Sequence, residues 1–470
     1  MPDRKEKARE RKQKGGPKAY AAELVWSIVI AVVLAMVIRT FLVEAFKIPT
    51  KSMEPTLIGD EGYGDRVLAG KWAYRSFFGV KDDRPKRWEV AVFIFRDAVG
   101  GNVIKKNYIK RCVGLPNEQI ATYRGDLYID GKIERKPDWL QDALWHPLYD
   151  DDLDGYDENR RDRTTGDALP WRLPAGWSLT DGGILAESAA SSEIVYDRPL
   201  LNLYVPPRPY AIVCPSSLGG CGRRFVQSLD TAHNRAKCPH CGLLIPDAAW
   251  NGIPDDVRRT EKSIYGYDQK RPVGDLRVSF DLLSEKPGGS AFVRIRKDDK
   301  VFTFALPLGE GQARLASADP RIALQKETSL ACGRSHRVRL SHYDERLVAS
   351  VDGSEIFRED YHPALANPWP AMRPEQMRSG VSIGVEAATV RIDNIRIERD
   401  IYYLLYVQPG SMHQVDGAWV RVLNEGEYWM MGDNSPASRD SRDWGPLKES
   451  DLIGRALVIW WPPDRMQLIR

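Results

Sequence analysis

The sequence has few cysteines, no strong excess of either charge and only one long apolar run. Its 470 residues include 6 cysteines, and the formal net charge is +3. So small a charge excludes a general nucleic-acid-binding protein, which would carry clustered lysine and arginine. With 43% hydrophobic and 28% charged residues, the composition also argues against extensive disorder. The length indicates two or three domains.

The apolar run covers residues 24–43, near the N-terminus. A helix of about 20 residues rises about 30 Å, the thickness of a bilayer's hydrocarbon core. Residues 1–19 contain eight Lys or Arg and three Asp or Glu, a net +5, and basic residues mark the cytoplasmic side of a membrane span. The sequence therefore predicts a basic cytoplasmic tail over 1–19 and a transmembrane helix over 20–43. A cleaved signal peptide is the alternative, but the run is long for one.

No second apolar run of spanning length follows. We therefore predict a single-pass protein of the cell (inner) membrane, with the lipid bilayer as a partner. Its N-terminus would lie in the cytoplasm and residues from about 44 onward on the outer side.

The rest of the chain is rich in strand patterns. An acidic, pattern-poor stretch over 139–167 separates the first strands from the others and reads as a linker. Asp130-Gly131 and Asp352-Gly353 are typical of hairpin turns. Apolar or alternating segments predict strands at 65–69, 90–95, 102–113, 277–283, 291–295, 301–306, 337–341, 347–351, 381–386, 390–398, 429–431 and 456–461.

Three motifs flank the long central block, two before it and one after it. They are IPTKSMEPTL at 48–57, YIKRCVGLP at 108–116 and MGDNSPASRDSRDWG at 431–445. In this order, after an apolar segment, they resemble the bacterial type I signal peptidases over about residues 20–138 and 401–470. The resemblance implies a membrane-bound serine endopeptidase that removes N-terminal signal peptides from secretory precursor proteins.

The resemblance also implies a Ser-Lys dyad, with Ser52 as the nucleophile and Lys110 as the general base. None of the 7 histidines lies in the three motifs, so a neutral lysine must accept the proton of the hydroxyl. The pKa of a free lysine is about 10.4, and burial in apolar surroundings lowers it. On a strand, Lys110 would share a face with Tyr108 and Cys112, whereas Arg111 would point to the other face.

Other site residues follow from the resemblance alone. Thr50 and the backbone N–H of Ser52 would form the oxyanion hole. Ser438 would orient the amine of Lys110. Structural support through ion pairs is implied for Arg111, Asp433, Asp440 and Arg442.

The simplest architecture is mainly β, with one catalytic domain built from two separate segments. Residues 44–138 and 401–470 would form this signal-peptidase-like β domain, and residues 139–400 would be inserted in it as a β-sandwich. The stretch VDGSEIF at 351–357, followed by the segment 381–398, resembles the closing strands of concanavalin-like jelly-roll domains. We expect the ends of the insertion, near Trp139 and Asp400, to lie close together.

Four of the cysteines cluster within the insertion. Cys214, Cys221, Cys238 and Cys241 stand in two Cys-Pro…Cys-Gly pairs, a pattern that resembles a zinc ribbon over 206–246. Two disulfides or a redox pair are the alternatives. Four thiolates would leave no open coordination position, so a zinc ion here would be structural, and catalysis needs no cofactor.

Two other functions compete with the peptidase. One is a membrane-tethered module that binds glycans or proteins and carries an inactive protease part. The other is a self-cleaving regulatory peptidase, which would not need an anchor. Intact Ser52, Lys110 and Ser438 favour an active endopeptidase.

Overall fold

A computed structural model of the chain describes most of the β-rich segments. The described residues are 17–37, 39, 42–59, 64–74, 84–99, 102–150, 169–180, 182–198, 200, 208–213, 219, 221, 224–229, 236–237, 241, 243–245, 272–361, 378–401, 403, 412–415 and 418–469.

The chain divides into two compact units, which do not follow the sequence order. The first comprises Met1–Thr50, Gly59–Cys112 and Lys448–Arg470. The second comprises Lys51–Ile58 and Val113–Leu447.

Helices are few. The α-helices are α1 (Pro17–Val37), α2 (Asp138–Gln141) and α3 (Ser441–Trp444). Single 3₁₀ turns occur at Lys51–Met53, Lys71–Tyr74, Ser435–Ala437, Glu449–Asp451 and Pro463–Arg465.

The predicted transmembrane helix over 20–43 is not found as such. Within the part of the chain that the structure describes, no helix is both long and apolar enough to cross a membrane. Helix α1 ends at Val37, and Val43–Lys47, at the end of the predicted span, forms a β-strand instead.

The described protein is mainly β, as predicted. Its strands, in chain order, are β1 Val43–Lys47, β2 Arg66–Gly70, β3 Val90–Val99, β4 Asn102–Gly114, β5 Gln119–Tyr123, β6 Asp126–Ile129, β7 Lys132–Ile133, β8 His146–Asp150, β9 Trp171–Arg172, β10 Trp177–Thr180, β11 Gly183–Tyr196, β12 Arg208–Val213, β13 Arg224–Leu229, β14 Ala236–Lys237, β15 Leu244–Ile245, β16 Leu276–Leu283, β17 Ser290–Lys297, β18 Lys300–Pro307, β19 Glu310–Ser317, β20 Ala323–Ser329, β21 Ser335–Tyr343, β22 Arg346–Val351, β23 Ser354–Asp360, β24 Ser379–Arg399, β25 His413–Val415, β26 Ala418–Val422, β27 Glu427–Met431, β28 Leu447–Lys448, β29 Leu452–Trp461 and β30 Gln467–Leu468.

An antiparallel sheet in the order β1-β2-β29-β3-β4 forms the first unit, with β30 paired to β29. The start of β3 is a run of four residues, Val90–Phe93, that is buried throughout. Strands buried on both faces read as continuous apolar runs, which is why 90–95 is recognisable in the sequence. β3 holds β4 in register, with Ala91 opposite Lys110.

A 13-stranded sheet dominates the second unit, and the long strand β24 is at its centre. β24 pairs with β11 and β17 along its first half and with β8 and β16 along its second half. Alternate residues of β16, such as Val278 and Phe280, are buried in one large apolar core. The residues between them form the opposite, polar face of the sheet.

Smaller sheets complete the second unit. Five strands pair in the order β25-β26-β5-β6-β7, and β12-β13 and β14-β15 form two ribbons. The predicted turn between β6 and β7 is present, with Asp130 and Gly131 at φ 50° and 77°. Positive φ at both positions is the reason that Asp-Gly is favoured in a hairpin of this type.

Two expectations about the central block were wrong in detail. Segments 381–386 and 390–398, predicted as separate strands, form the single strand β24, and its partner β11 shifts register between Ser188 and Ser191. The predicted linker over 139–167 begins instead with part of α2 and with β8, which pairs with β24. In both cases the strand forms because it pairs with a strand that is distant in the sequence. A local residue pattern carries no sign of such pairing. The remainder of that linker, 151–168, lies outside the described residues.

Candidate active site

The third motif begins on a buried strand and turns into a short capped helix. Tyr428–Met431 of β27 is buried, and the Ser441 hydroxyl accepts a hydrogen bond from the Met430 N–H at 2.9 Å. Asp440 caps α3: its carboxylate accepts from Arg442 N–H at 3.2 Å, and Asp443 accepts from Asp440 N–H at 3.0 Å. This capping box fixes the path of the chain between β27 and α3.

A buried ion pair braces this turn. The Arg442 guanidinium donates from Nε and Nη2 to the two carboxylate oxygens of Asp440, at 2.8 and 2.7 Å. It also donates to the Ser435 hydroxyl at 2.6 Å and to the Ser435 carbonyl at 3.0 Å. Burial alone would raise the pKa of Asp440, but the Arg442 guanidinium overcomes this and holds that pKa below its ordinary value. The pair is bidentate and stays charged.

Hydrogen bonds attach the first motif to the third. Asn434 donates from its backbone N–H to the carbonyl of Ser52 and from Nδ2 to the carbonyl of Lys51, both at 3.1 Å. The Thr56 hydroxyl donates to Asp433 Oδ2 at 2.5 Å. Segments almost the whole chain apart thus meet in the second unit, and Ser52 is presented from a 3₁₀ turn on a fixed backbone.

Gly432 lies where these segments come closest. A Cβ at this position would be 2.2 Å from Ser438 Oγ and 2.3 Å from the Ser52 carbonyl oxygen. Its N–H donates to Asp440 Oδ2 at 3.1 Å. The sequence alone gives Gly432 no role, although its place in the third motif is a signal. Only glycine permits the two serines to approach one another in this way.

Ser438 is buried at this contact. Its Oγ is shielded from solvent, and its hydroxyl donates toward the Asp440 carboxylate and helps to lower the pKa of that group. The hydroxyl therefore lies between the backbone of Gly432 and the side chain of Asp440.

Lys110 lies on β4 in the first unit, and its side chain is only 4% exposed. Its Nζ donates to the Ile109 carbonyl at 3.0 Å and lies 5.6 Å from the centroid of the Tyr108 ring. Tyr108 in turn stacks on Phe95, with the ring centroids 4.7 Å apart. The amine therefore has aromatic and backbone surroundings on the strand face that the alternation predicted.

Arg111 is fully buried and supports the same strand. It donates from Nη1 to the Trp88 carbonyl at 2.6 Å, and the Trp88 N–H donates to the Cys112 carbonyl at 2.6 Å. The side chain thus fastens the residues before β3 to β4, close in sequence to Lys110.

The structure places the predicted site residues in both units. Thr50, Lys110 and Arg111 belong to the first unit. The second unit brings together Ser52, Asp433, Ser438, Asp440 and Arg442.

The predicted metal ligands are only partly described. Cys221 and Cys241 are exposed, whereas Cys214 and Cys238 lie outside the described residues. Among the residues that the structure does describe, no group of three or more His, Cys, Asp or Glu is placed to hold a metal ion.

Comparison with known proteins finds relatives in one family. A family model described as signal peptidase, peptidase S26, matches residues 21–164 and 379–461. A probable signal peptidase I-2 from Synechocystis sp. is 32% identical over 190 residues, which cover 36% of this chain and 83% of that protein. Signal peptidase I of Pseudomonas fluorescens is 35% identical over 161 residues, which cover 30% of this chain and 52% of that protein. This chain therefore spans most of the first relative and about half of the second.

A solved structure offers only a weak likeness. The carbohydrate binding module CBM66 from Bacillus subtilis aligns with a TM-score of 0.26 at 10% identity, covering 49% of this chain and 95% of that one. Similarity at this level supports no conclusion about fold or ligand.

The relatives and the family match together define a serine endopeptidase of the class that removes signal peptides. The chain belongs to the signal peptidase I family, peptidase S26.

Proposed function

We propose that this enzyme cleaves secretory precursors with Ser52 as the nucleophile and Lys110 as the general base. The observation that carries the assignment is the attachment of Ser52 to the third motif, through Asn434 N–H on the Ser52 carbonyl at 3.1 Å. Ser52 Oγ would attack the scissile carbonyl and form an acyl-enzyme, which water then hydrolyses. A nucleophile on a fixed backbone is oriented before the substrate arrives, which lowers the entropic part of the barrier.

The burial of Lys110 suits a base. An ammonium group loses hydration when it is removed from water, and this loss disfavours the charged form of the amine. Since the side chain is 4% exposed, its position favours a lysine that can accept the Ser52 proton. The same amine, once protonated, would donate to the leaving group.

The remaining roles are assigned with the dyad. Thr50 Oγ and the Ser52 N–H would donate to the oxyanion of the tetrahedral intermediate. Ser438 would use its buried hydroxyl to orient the Lys110 amine. Asp433, Asp440 and Arg442 would hold the second-unit part of the site, and Arg111 the strand of the base.

Incubation of the purified full chain with a labelled precursor tests this function. We expect a single cut after an A-x-A-like sequence at the end of the signal peptide, mapped by mass spectrometry. Ser52→Ala should give no cut, whereas Ser450→Ala, at an exposed serine outside the motifs, should cleave like the parent. Cleavage of the precursor by Ser52→Ala would remove Ser52 from the mechanism.

We further propose that α1 attaches the enzyme to the cell membrane. Its described apolar side chains are exposed, including Leu24, Trp26 and Met36 at 63%, 67% and 62%, and a soluble helix normally buries such a surface. The basic residues of 1–19 orient the N-terminus to the cytoplasm. Protease added to spheroplasts should digest the catalytic part, and protection of that part would contradict this orientation.

Residues 139–400 are proposed to be an inserted β-sandwich. The family match is interrupted between 164 and 379, and the two ends of the block meet, since Gln141 Nε2 donates to Asp400 Oδ1 at 2.9 Å. A long insertion costs little loop-closure entropy when its ends already meet.

The four clustered cysteines are proposed to hold one structural zinc ion. Two Cys-Pro…Cys-Gly pairs supply the four thiolates that tetrahedral zinc prefers. Metal analysis of the purified chain should give about one zinc per chain, and Cys241→Ser should lower that figure, whereas Cys332→Ser should not. Equal zinc content in both variants, or none in the parent, would favour disulfides.

A further inference from the structure

A compact group of buried charges lies where the five-stranded sheet of the second unit meets the 13-stranded sheet. The proposed catalytic mechanism does not use it. Lys297, the last residue of β17, is at its centre, with a side chain that is 9% exposed. Its Nζ lies 2.7 Å from a carboxylate oxygen of Asp275, 3.5 Å from one of Glu345 and 3.6 Å from one of Asp126. One ammonium group thus faces three carboxyl groups.

These carboxyl groups come from two different parts of the chain. Asp126 begins β6 and belongs to the catalytic segment 44–138. Asp275 precedes β16 and Glu345 lies in the turn between β21 and β22, so both belong to the proposed insertion. All three residues are buried. The contact therefore joins the proposed insertion to the catalytic segment.

The two aspartates of this group are hydrogen-bonded to one another. An ionised carboxylate only accepts hydrogen bonds, so one member of the pair must carry a proton. Asp275 also accepts from Lys297 Nζ at 2.7 Å and lies 2.8 Å from Nδ1 of the buried His342. Two partners of this kind favour the ionised form of Asp275, which leaves the proton on Asp126.

The pKa shifts of the two aspartates have opposite directions. Burial raises the pKa of Asp126 well above its ordinary value, and the charge of Asp275 raises it further. Burial would also raise the pKa of Asp275, but Lys297 and His342 overcome this and hold that pKa below its ordinary value. The directions agree with the hydrogen-bond geometry.

Other titratable groups face Asp126 from each neighbouring element. The full set is Arg124, Tyr128, Asp275, Lys297, His342, Asp344, Glu345 and Tyr361. Arg124 is paired with Asp298 at 2.8 Å, and Asp344 is paired with Lys136 at 2.7 Å. Among the residues that the structure describes, the cation at Asp126 is therefore Lys297, which Asp275 and Glu345 share.

We propose that Asp126, Asp275 and Lys297 form a proton-dependent latch, which holds the proposed insertion against the catalytic segment while Asp126 is protonated and opens when the proton leaves. Without that proton the two aspartates lose their hydrogen bond, and two buried negative charges face one another. A buried charge without full compensation is strongly destabilising. The inference rests on the proposed insertion and not on the peptidase chemistry.

The direction of the pH dependence follows from the state that binds the proton. In the open latch Asp126 is solvated and has an ordinary pKa of about 3.9. The closed latch retains the proton to higher pH, so its stability is complete below about pH 4 and falls as the pH rises towards the raised pKa of Asp126. One proton changes the opening equilibrium by up to about tenfold per pH unit.

Hydrogen exchange of the full chain in detergent, followed by mass spectrometry between about pH 5 and pH 8, tests the latch. The informative segments are 124–136 and 342–347, on the two sides of the contact, because Lys136 N–H donates across it to Asp344 Oδ2 at 3.4 Å. After correction for intrinsic exchange, protection of these segments in the parent should fall by up to about tenfold per pH unit.

The decisive variant is Asp126→Asn, whose amide can donate to Asp275 without a titrating proton. Its protection should fall less with pH than that of the parent. The matched control is Asp130→Asn, at an exposed aspartate in the next turn of the same small sheet; it should follow the parent. Parallel profiles for the parent and Asp126→Asn would overturn the proposal, as would protection in the parent that does not change with pH.

A neighbouring carboxyl group sets the slope that remains in Asp126→Asn. Burial and the charge of Asp344 raise the pKa of Asp400 to about 6, and Asp400 pairs with Lys136 at 2.9 Å. Its contribution also falls with rising pH, so Asp126→Asn combined with Asp400→Asn should give a flat profile. A combined variant as steep as the parent would contradict the account.

A second variant tests the latch from its cation. Lys297→Gln removes the charge that three carboxyl groups share, so more than one of them must be protonated in the closed state. Its protection should fall more steeply with pH than in the parent, and a profile no steeper would contradict the latch. Circular dichroism should show the variants folded. None of these measurements requires cleavage, so failure of the proposed peptidase function would leave the test of the latch intact.

Discussion

At the scale of single residues, Gly432 permits a close approach of two serines in the proposed active site. Ser52, Lys110 and Ser438 could be chosen from the sequence, because each stands in a long motif with a family resemblance. The part played by Gly432 could not, because it arises only when segments distant in the chain meet. The 2.2 Å and 2.3 Å separations from a Cβ to Ser438 Oγ and the Ser52 carbonyl exist only in the folded chain.

Substitution Gly432→Ala should therefore damage the site strongly. The added methyl group would push the Ser438 hydroxyl and the Ser52 backbone apart, and we expect kcat/KM to fall at least 100-fold, because misplacement by about 1 Å can cost that much. Gly380→Ala is the matched control, since the nearest atom to its Cβ would be 3.7 Å away. A Gly432→Ala enzyme within tenfold of the parent would show that the contact does not position Ser52.

At the scale of the element, strands with a strong local pattern were predictable and strands defined by distant partners were not. The buried run of β3 and the Asp130-Gly131 hairpin carry their signals locally. β1 and β8 do not, because each exists only through pairing with β2 or β24. Tertiary pairing overrides local propensity in such cases.

The stability of the protein should also depend on pH through a histidine of strand β8. Burial, together with the charge of Arg399, lowers the pKa of His146 well below its ordinary value. The unfolded chain therefore binds a proton near pH 6.5 that the folded chain does not bind, so the free energy of unfolding falls as the pH drops below about 6.5. The expected slope is up to about 1.4 kcal/mol per pH unit.

Hydrogen exchange of the β8 and β24 amides at several pH values can measure this loss. On acidification, the hydrogen-exchange protection of these amides should fall less in His146→Gln than in the parent. The contribution of Asp400 to the free energy of unfolding has the opposite pH dependence. Burial and the charge of Asp344 raise the pKa of Asp400 to about 6, so this contribution falls as the pH rises through about 4 to 6. The Asp400 contribution is present in both the parent and the variant, so it cancels when the two are compared. Parallel profiles for parent and variant would contradict the His146 account.

At the scale of the whole molecule, the junction around the proposed insertion is polar. Lys136 pairs with Asp344 at 2.7 Å and with Asp400 at 2.9 Å. Lys297 pairs with Asp275 at 2.7 Å and lies 3.6 Å from Asp126. These charges are buried, and no sequence pattern marks them, because an isolated lysine or aspartate usually reads as a surface residue.

This polarity bears on removal of the insertion. Replacing 139–400 by a short Gly/Ser linker would uncover Lys136 and Asp126, which water can solvate, instead of a large apolar surface. We therefore expect a soluble variant that still cleaves a short signal-peptide substrate, within about tenfold of the parent rate. Activity and circular dichroism over several linker lengths check this expectation. A variant that is insoluble or inactive at every length would make the block an integral part of the catalytic fold.

The central claim is that Ser52 and Lys110 act together as one catalytic unit, and single-turnover cleavage of a signal-peptide substrate tests it most directly. Ser52→Ala, Lys110→Ala and the double variant should each lose at least 10³-fold in rate, and the double variant should be no more than about twofold slower than either single one, because removal of one member already disables the unit. Circular dichroism should show all three folded. Losses that multiply in the double variant, or substantial cleavage by Lys110→Ala, would contradict the dyad.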